Sequence, residues 1–309
     1  MKIVIVGPGA MGCLFAVGLA KTKEDIWILD KSGQNARLLN QNGICVESAG
    51  GIIKTQVKAT ENIQEIGPLD LAVICVKSYH TKQAVEQIKP AITKNTKILT
   101  LQNGIGNIEV IAELAGEEKV IGGLTSEGAT WLDIGKIRHV GKGETVIGMI
   151  DGKIPVEMRS IREILNKAGF ATKMSRDIKG LLWSKLIISA GINALSALTG
   201  LPNGKLIEIE ASKKILREAV TEAVRIAKRK RIKLIYDDPL AKVEAVCEST
   251  ATNISSMLQD ILRKKRTEID YINGVIVRLG QELSIPVPVN TLLVNLIKSV
   301  EAGYAENKE

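Results

Sequence analysis

The first third of the chain alternates short, nearly unbroken apolar runs with amphipathic stretches. KIVIV (2–6), DIWIL (25–29), LAVICV (71–76) and TKILTL (96–101) have the length and texture of strands. Residues 10–22, KQAVEQI (82–88) and 157–168 carry helical spacing. Strands that are apolar on both sides are buried on both faces, so the pattern predicts an α/β region with a mostly parallel sheet. The glycine-rich stretch 120–150, with KIRHVG and ETVIGM, is expected to extend that sheet in antiparallel fashion. Beyond about residue 174 the strand-like runs stop. Helical patterns follow over 178–198, 206–230, 239–265 and 268–283, and SIPVPVN (284–290) breaks the series before a last helix at 291–305. The expected layout is an α/β domain over 1–174 and an all-α domain over 175–309.

Composition narrows what such a molecule does. Of 309 residues, 45% are hydrophobic but only 3% are aromatic, so the core is aliphatic. That poverty disfavours a base-stacking surface for single-stranded nucleic acid. The net charge of +8 suits anionic small molecules as well as polyanions. The densest basic run, Lys228 to Lys233, follows a helical pattern and reads as a solvated helix end that complements the helix dipole. No nucleic-acid motif accompanies it. Cys13, Cys45, Cys75 and Cys247 are scattered, without metal-type spacing or a disulfide framework. The opening apolar run is too short for a signal peptide, and no stretch reaches ~18 uninterrupted apolar residues. A soluble cytoplasmic protein without metal, membrane or nucleic-acid partner is the expectation.

Gly7-Pro8-Gly9-Ala10-Met11-Gly12 follows the first strand directly and opens the first helix. In that position GxGxxG is a dinucleotide-binding fingerprint, which makes the first domain Rossmann-type. Gly7 serves the tight turn, Gly9 the close approach of a pyrophosphate, and Gly12 the packing of helix on strand. The end of the second strand should select between NAD and NADP. Asp30 stands where an acid binds the ribose hydroxyls of NAD, whereas Lys31 suits the 2′-phosphate of NADP. Both readings stay open at this point.

In WSKLIISAGIN (183–193), Lys185, Ser189 and Asn193 recur every four residues and share one face of a helix. Charged residues are almost absent from 186 to 204, so a solvent-facing stripe fits poorly and a site-facing stripe is favoured. A partly desolvated lysine has its pKa lowered toward neutrality, which suits a general acid delivering a proton to a ketone oxygen. The two histidines, His80 and His139, are poorly placed for that task.

Several segments together resemble the ketopantoate reductases (2-dehydropantoate 2-reductases) over nearly the whole chain. They are GPGAMG, VICVKS (73–78), LQNGIGN (101–107), WSKLIISAGINALSALTGLPNG (183–204), NISSMLQDILRKKRTEIDYINGVIVRLG (253–280) and IPVPVN (285–290). The resemblance implies NADPH-dependent reduction of 2-ketopantoate to D-pantoate, a step toward coenzyme A. It implies that Lys185 is the catalytic acid and Glu268 its acidic partner. Asn103 would lie beside the nicotinamide and Lys185, and Lys77 and Asn253 on the cofactor side. Asn193, Asn203 and Ser256 would contact the substrate, Ser256 at its carboxylate. Without the resemblance, Glu268 would read as one member of a surface ion-pair run, and Asn103 and Asn203 as turn residues.

Two positions depart from the family pattern. Ser189 stands where the family usually has Asn, and Lys31 where it commonly has Arg. Ser189 loses an amide and opens space, and Lys31 keeps charge without bidentate geometry. The resulting expectation is a homodimeric reductase acting in the cleft between its domains, on 2-ketopantoate with NADPH. A related D-2-hydroxyacid dehydrogenase using NADH is the rival within the enzyme class. A β-hydroxyacid dehydrogenase fits the QNG and TEIDYING motifs poorly. From another class, a non-catalytic NADP(H) sensor would not need Lys185 and Glu268 together.

Overall fold

The computed structural model describes residues 1–306, so the last three positions of the expected second domain lie outside the described residues. It divides into two compact units. One comprises Met1–Gln102 and Gly106–Ile178, and the other comprises Asn103–Ile105 together with the chain from Lys179 onward.

The first unit opens with β1 (Lys2–Val6), α1 (Ala10–Leu19), β2 (Asp25–Leu29), α2 (Gly33–Asn42), β3 (Ile44–Ser48), β4 (Gly51–Thr55) and β5 (Lys58–Thr60). Next come β6 (Leu69–Ile74), α3 (Thr81–Ile88), β7 (Ile92–Thr100), α4 (Asn107–Ala115) and β8 (Val120–Thr125). It closes with β9 (Gly128–Asp133), β10 (Lys136–Gly141), β11 (Thr145–Gly148), α5 (Val156–Lys167) and β12 (Thr172–Met174). The main sheet runs β12-β11-β8-β7-β6-β1-β2-β5. From β5 to β8 every pairing is parallel, whereas β11 joins β8 antiparallel. The six strands β5-β2-β1-β6-β7-β8 have the doubly wound order 3-2-1-4-5-6, whose switch point lies between β1 and β6. Ile3, Ile5, Leu71 and Val73 are fully buried, as the apolar runs predict.

The antiparallel extension is thus present at β11, but KIRHVG is not part of it. β10 instead pairs with β3 and β9 in a separate four-stranded sheet, β4-β3-β10-β9. The partner strand β3 (ICVES) mixes apolar and polar positions, and a half-buried strand of that kind is a weak sequence signal.

The second unit is helical: α6 (Ile178–Thr199), α7 (Lys205–Glu208), α8 (Glu210–Arg229), α9 (Pro239–Ser249), α10 (Ser256–Leu262), α11 (Asn273–Glu282) and α12 (Pro288–Glu306). Three expected helices are divided, and the one at 268–283 becomes a 3₁₀ turn (Ile269–Tyr271) followed by α11 from Asn273. The pattern at 206–230 breaks at Ile209, and the one at 239–265 breaks over 250–255. Asp238 caps α9 by accepting from Ala241 N–H at 3.0 Å, and Ser255 caps α10 by accepting from Leu258 N–H at 3.0 Å. A serine that caps a helix marks a new start, which the apolar periodicity conceals. The last helix begins three residues earlier than expected, because Pro288 is well tolerated in a first turn.

By length and composition α6 could cross a membrane, a point the uninterrupted-run criterion misses because polar residues, among them Lys179, Lys185 and Asn193, interrupt it. Most of it is buried in the second unit's core, with Trp183, Leu186, Ile187, Ala190 and Ile192 packed there. The basic run is exposed at Lys228, Arg229, Lys230, Arg231 and Lys233, at and just beyond the end of α8.

Candidate active site

In the first unit the chain leaves β1 through Gly7, whose φ of +93° lies in the left-handed region that glycine tolerates. Its N–H donates to Leu29 O at 3.0 Å, tying the turn to the end of β2. A Cβ on Gly7 would stand 2.6 Å from Val76 Cγ1, and one on Gly12 only 2.1 Å from Gly7 O. Both glycines are therefore required by packing. Gly9 differs, since a Cβ there would meet nothing within 4 Å. Open space above an exposed glycine that caps α1, with no side-chain cap on the helix, is a cradle for an anionic group. Pro8, Ala10 and Met11 complete that turn and are partly exposed. The residues fit the pyrophosphate of a dinucleotide.

Lys77 lies just past β6, on the other side of the switch point, and caps the short 3₁₀ turn Ser78–His80. The loops after β6 and β7 are locked by a buried polar network. Gln102 donates to Val76 O (2.9 Å) and Thr81 Oγ1 (2.8 Å), and accepts from Thr100 Oγ1 (2.9 Å). Thr81 donates on to Asn107 Oδ1 (2.8 Å), and Asn107 Nδ2 donates to Ser78 Oγ (3.1 Å). At the end of β2, Asp30 is buried and Lys31 exposed. The Asp30 carboxylate accepts from Ser32 N–H (3.2 Å) and Asn35 Nδ2 (2.8 Å), so both oxygens already serve the start of α2.

In the second unit, α6 presents the predicted stripe. Between residues 183 and 197 only Lys185, Ile188, Ser189 and Asn193 are not buried. Burial pulls the Lys185 ammonium down to about 8, while the negative Glu268 acts in the opposite direction. An amine with that pKa stays mostly protonated at neutral pH yet gives up its proton readily.

Glu268 differs from its charged neighbours in burial. Residues 263–266 are exposed, whereas Thr267, Glu268 and Ile269 are buried. The exposed pairing falls to Asp270, which meets Arg266 at 3.4 Å and Lys298 at 2.7 Å. Thr267 N–H donates to Glu301 Oε1 at 2.7 Å, fixing this segment on α12.

Asn103, with Gly104 and Ile105, belongs to the second unit although the chain on either side of these three residues belongs to the first. Its loop is held where Ile105 N–H donates to Tyr271 O at 3.0 Å. Asn203 is buried, and its Nδ2 donates to Thr250 Oγ1 at 2.9 Å while Oδ1 is buried with no partner. Asn253 and Ser256 have exposed side chains. The Asn253 carbonyl accepts from Asn203 N–H at 2.9 Å, so its backbone positions Asn203. Ser256 is the first residue of α10, and the preceding Ser255 donates to Asn193 O at 3.4 Å.

Two profiles decide the family. The ketopantoate reductase PanE/ApbA model matches residues 3–152, and the corresponding C-terminal model matches 177–301. The chain belongs to the ketopantoate reductase family. Among members, a 2-dehydropantoate 2-reductase of Pyrococcus horikoshii is 36% identical over 302 residues, 98% of each chain. One of Halobacterium salinarum is 31% identical over 96% of this chain and 98% of its own. The crystal structure of a PanE/ApbA family ketopantoate reductase from Ralstonia eutropha superposes with a TM-score of 0.91 at 32% identity. That match covers 99% of this chain and all of the other.

Within this ketopantoate reductase framework Gly7 to Gly12, Lys31 and Lys77 belong to the first unit. Asn103, Lys185, Ser189, Asn193, Asn203, Asn253, Ser256 and Glu268 belong to the second. Sequence reading missed the supports: Gln102, Thr81 and Asn107 in one unit, Tyr271, Ser255 and Asn273 in the other. Only the Asn-Gly pair at 103–104 offered a local signal, since Gly104 takes a left-handed φ of +81°.

Proposed function

We propose that the chain is a 2-dehydropantoate 2-reductase that reduces 2-ketopantoate to D-pantoate with NADPH. The observation that carries this reading is Lys185. It is held near pKa 8 on the one partly exposed stripe of a buried helix, and its charge is coupled to buried Glu268. The family and the names of its curated members supply the substrate.

Gly9 and the start of α1 hold the pyrophosphate, and Lys31 and Lys77 supply cations to the rest of the nucleotide. When bound, the reduced nicotinamide supplies hydride to the C2 ketone. Lys185 Nζ gives its proton to the ketone oxygen, leaving a secondary alcohol and a neutral amine that solvent reprotonates. Glu268 keeps the lysine protonated until that moment. Asn103 orients the ketone, Ser189, Asn193 and Asn203 hold the substrate's polar groups, Asn253 serves the cofactor side and Ser256 the carboxylate.

Asp30 favours a second reading of the cofactor, NADH, because a carboxylate at the end of β2 suits ribose hydroxyls. A cytoplasmic homodimer belongs to the same proposal. It is supported by four free cysteines and by the exposed stripe Leu292, Leu296 and Val300 on α12. The test is oxidation of NADPH and, separately, NADH by the purified protein with 2-ketopantoate, followed by absorbance. Turnover that vanishes in Lys185→Ala is the expected result. Cofactor binding without turnover of this acid would overturn the substrate.

A further inference from the structure

Asn273 and Asn290 are polar groups deep in the second unit's core, and neither belongs to the reactive stripe. Both have no exposed surface. Asn273 Nδ2 donates to the backbone carbonyl of Ala190 at 2.9 Å and to Asn290 Oδ1 at 3.0 Å. Asn290 Nδ2 in turn donates to Ala219 O (3.0 Å) and Glu222 Oε2 (2.7 Å). Glu222, also buried, accepts the backbone N–H groups of Val289 and Asn290 at 2.9 Å each. One chain of hydrogen bonds therefore joins α6, α8, α11 and α12.

The ends of this chain give it meaning. Ala190 follows Ser189 directly and lies five residues past Lys185 on the same helix. Asn273 opens α11, five residues past Glu268, and the 3₁₀ turn Ile269–Tyr271 lies between. The Asn273–Ala190 bond is thus a buried cross-link between the element that carries Lys185 and the segment that carries Glu268. Hydrophobic packing alone permits small slides of one helix along another. A directed amide-to-carbonyl bond in a dry core fixes the register. Both donors of the Asn273 amide are used and its Oδ1 is not, so the position calls for two N–H groups.

We infer that Asn273 is a positioning residue, which sets the separation of the Lys185 ammonium from the Glu268 carboxylate by clamping α11 to the Ala190 carbonyl. Asn290 and Glu222 brace the clamp from behind. The inference rests on the reading of Lys185 and Glu268 as the working pair. Coulomb attraction falls with separation. Loosening the clamp therefore weakens the pull of Glu268 that opposes desolvation at Lys185, and the ammonium becomes a stronger acid.

The test reads Lys185 directly, by NMR titration of ¹³C-labelled lysine side chains in the full-length protein, with Lys185→Arg assigning the signal. Glu268→Gln gives the shift for complete loss of the carboxylate charge. Asn273→Ala, and Asn273→Ser should the first fold poorly, are expected to lower the Lys185 pKa by part of that shift. The basic limb of kcat should move down in pH by the same amount, with the KM for the cofactor unchanged. Ile226→Ala, a core cavity on α8, supplies a destabilised control whose Lys185 titration stays where it was. An Asn273 variant that loses thermal stability like the control but leaves Lys185 unmoved, or moves it upward, overturns the inference. The titration needs no substrate, so absent 2-ketopantoate turnover would count against the proposed function and not against the clamp.

Discussion

The carbonyl oxygen of Tyr271 accepts the amide N–H of Ile105 at 3.0 Å, so the loop that carries Asn103 is hung on the segment that begins with Glu268. Gly104 makes this possible. Its φ is +81°, and a Cβ there would stand 2.4 Å from the same Tyr271 oxygen. Gly104→Ala must therefore push the loop away or strain it. The expected outcome is a kcat/KM for 2-ketopantoate about 100-fold lower, since small misplacements of an orienting residue have large rate effects. A loss of about 1–2 kcal/mol in stability should accompany it. Steady-state kinetics and urea unfolding of the variant check both, and near-wild-type kcat/KM would show that the loop does not orient the substrate.

The glycines of the nucleotide turn separate function from packing. Gly9 has a φ of −70°, which any residue adopts, and open space where a Cβ would go. Gly9→Ala should leave the unliganded protein within about 0.5 kcal/mol of wild type. Its affinity for NADPH should fall about tenfold or more, a difference of about 1.4 kcal/mol. Gly12→Ala should do the reverse in order of cause: the new methyl meets Gly7 O at 2.1 Å and destabilises the fold by roughly 1–3 kcal/mol before any ligand is added. Thermal unfolding and cofactor titration of the two variants distinguish them. Equal destabilisation by both would contradict the cradle at Gly9.

The contrast between those glycines also shows what a sequence exposes. GxGxxG names three positions, and its place after an apolar strand names their function. It does not say that Gly9 alone faces open space, because that depends on Val76, which arrives from β6. The stripe Lys185, Ser189 and Asn193 was legible because a helix repeats its face every four residues. Glu268 was legible only through the family resemblance, since in sequence it stands among alternating charges such as Arg266 and Asp270 and only the fold buries it. Asn273 and Gln102 were equally hidden. A polar residue buried by long-range partners has no local signature, whereas the turn glycine 104 has one. The broken helix at 239–265 is hidden for a related reason: the cap Ser255 is a single residue set within a continuing apolar period.

Lys185 links stability to pH. Its folded pKa of about 8 lies below its ordinary value of 10.5, so between these values the unfolded chain binds more protons than the folded one. Stability should therefore rise with pH across that window, and the penalty for burying the ammonium is present in full below it. The total is on the order of 3 kcal/mol at most, since each tenfold gain in acidity corresponds to about 1.4 kcal/mol, and partial exposure of the side chain reduces it. Urea unfolding of wild type and Lys185→Met at several pH values between about 7.5 and 10.5 measures it. The wild type is expected to gain on the variant as pH rises. A constant difference would mean that Lys185 is not desolvated.

Ser189 is, by the resemblance, one of two positions where this chain parts from the family pattern, and its place on the stripe defines the consequence. It lies one helical turn from Lys185 and one from Asn193, partly exposed with both. A serine there offers one hydroxyl and leaves room where an amide would reach farther. Ser189→Asn should restore one hydrogen bond to a polar substrate, worth about 0.5–1.5 kcal/mol or roughly 2- to 10-fold in KM for 2-ketopantoate. The same amide fills space, so a 2-keto acid with a bulky apolar side chain, such as phenylglyoxylate, should lose activity. The ratio of kcat/KM for the two acids measures the effect and cancels changes in protein quality. A rise in that ratio toward 2-ketopantoate makes Ser189 a determinant of substrate range. An unchanged ratio would mean that the substrate does not reach this part of α6, and the boundary of the site would then lie between Lys185 and Ser189.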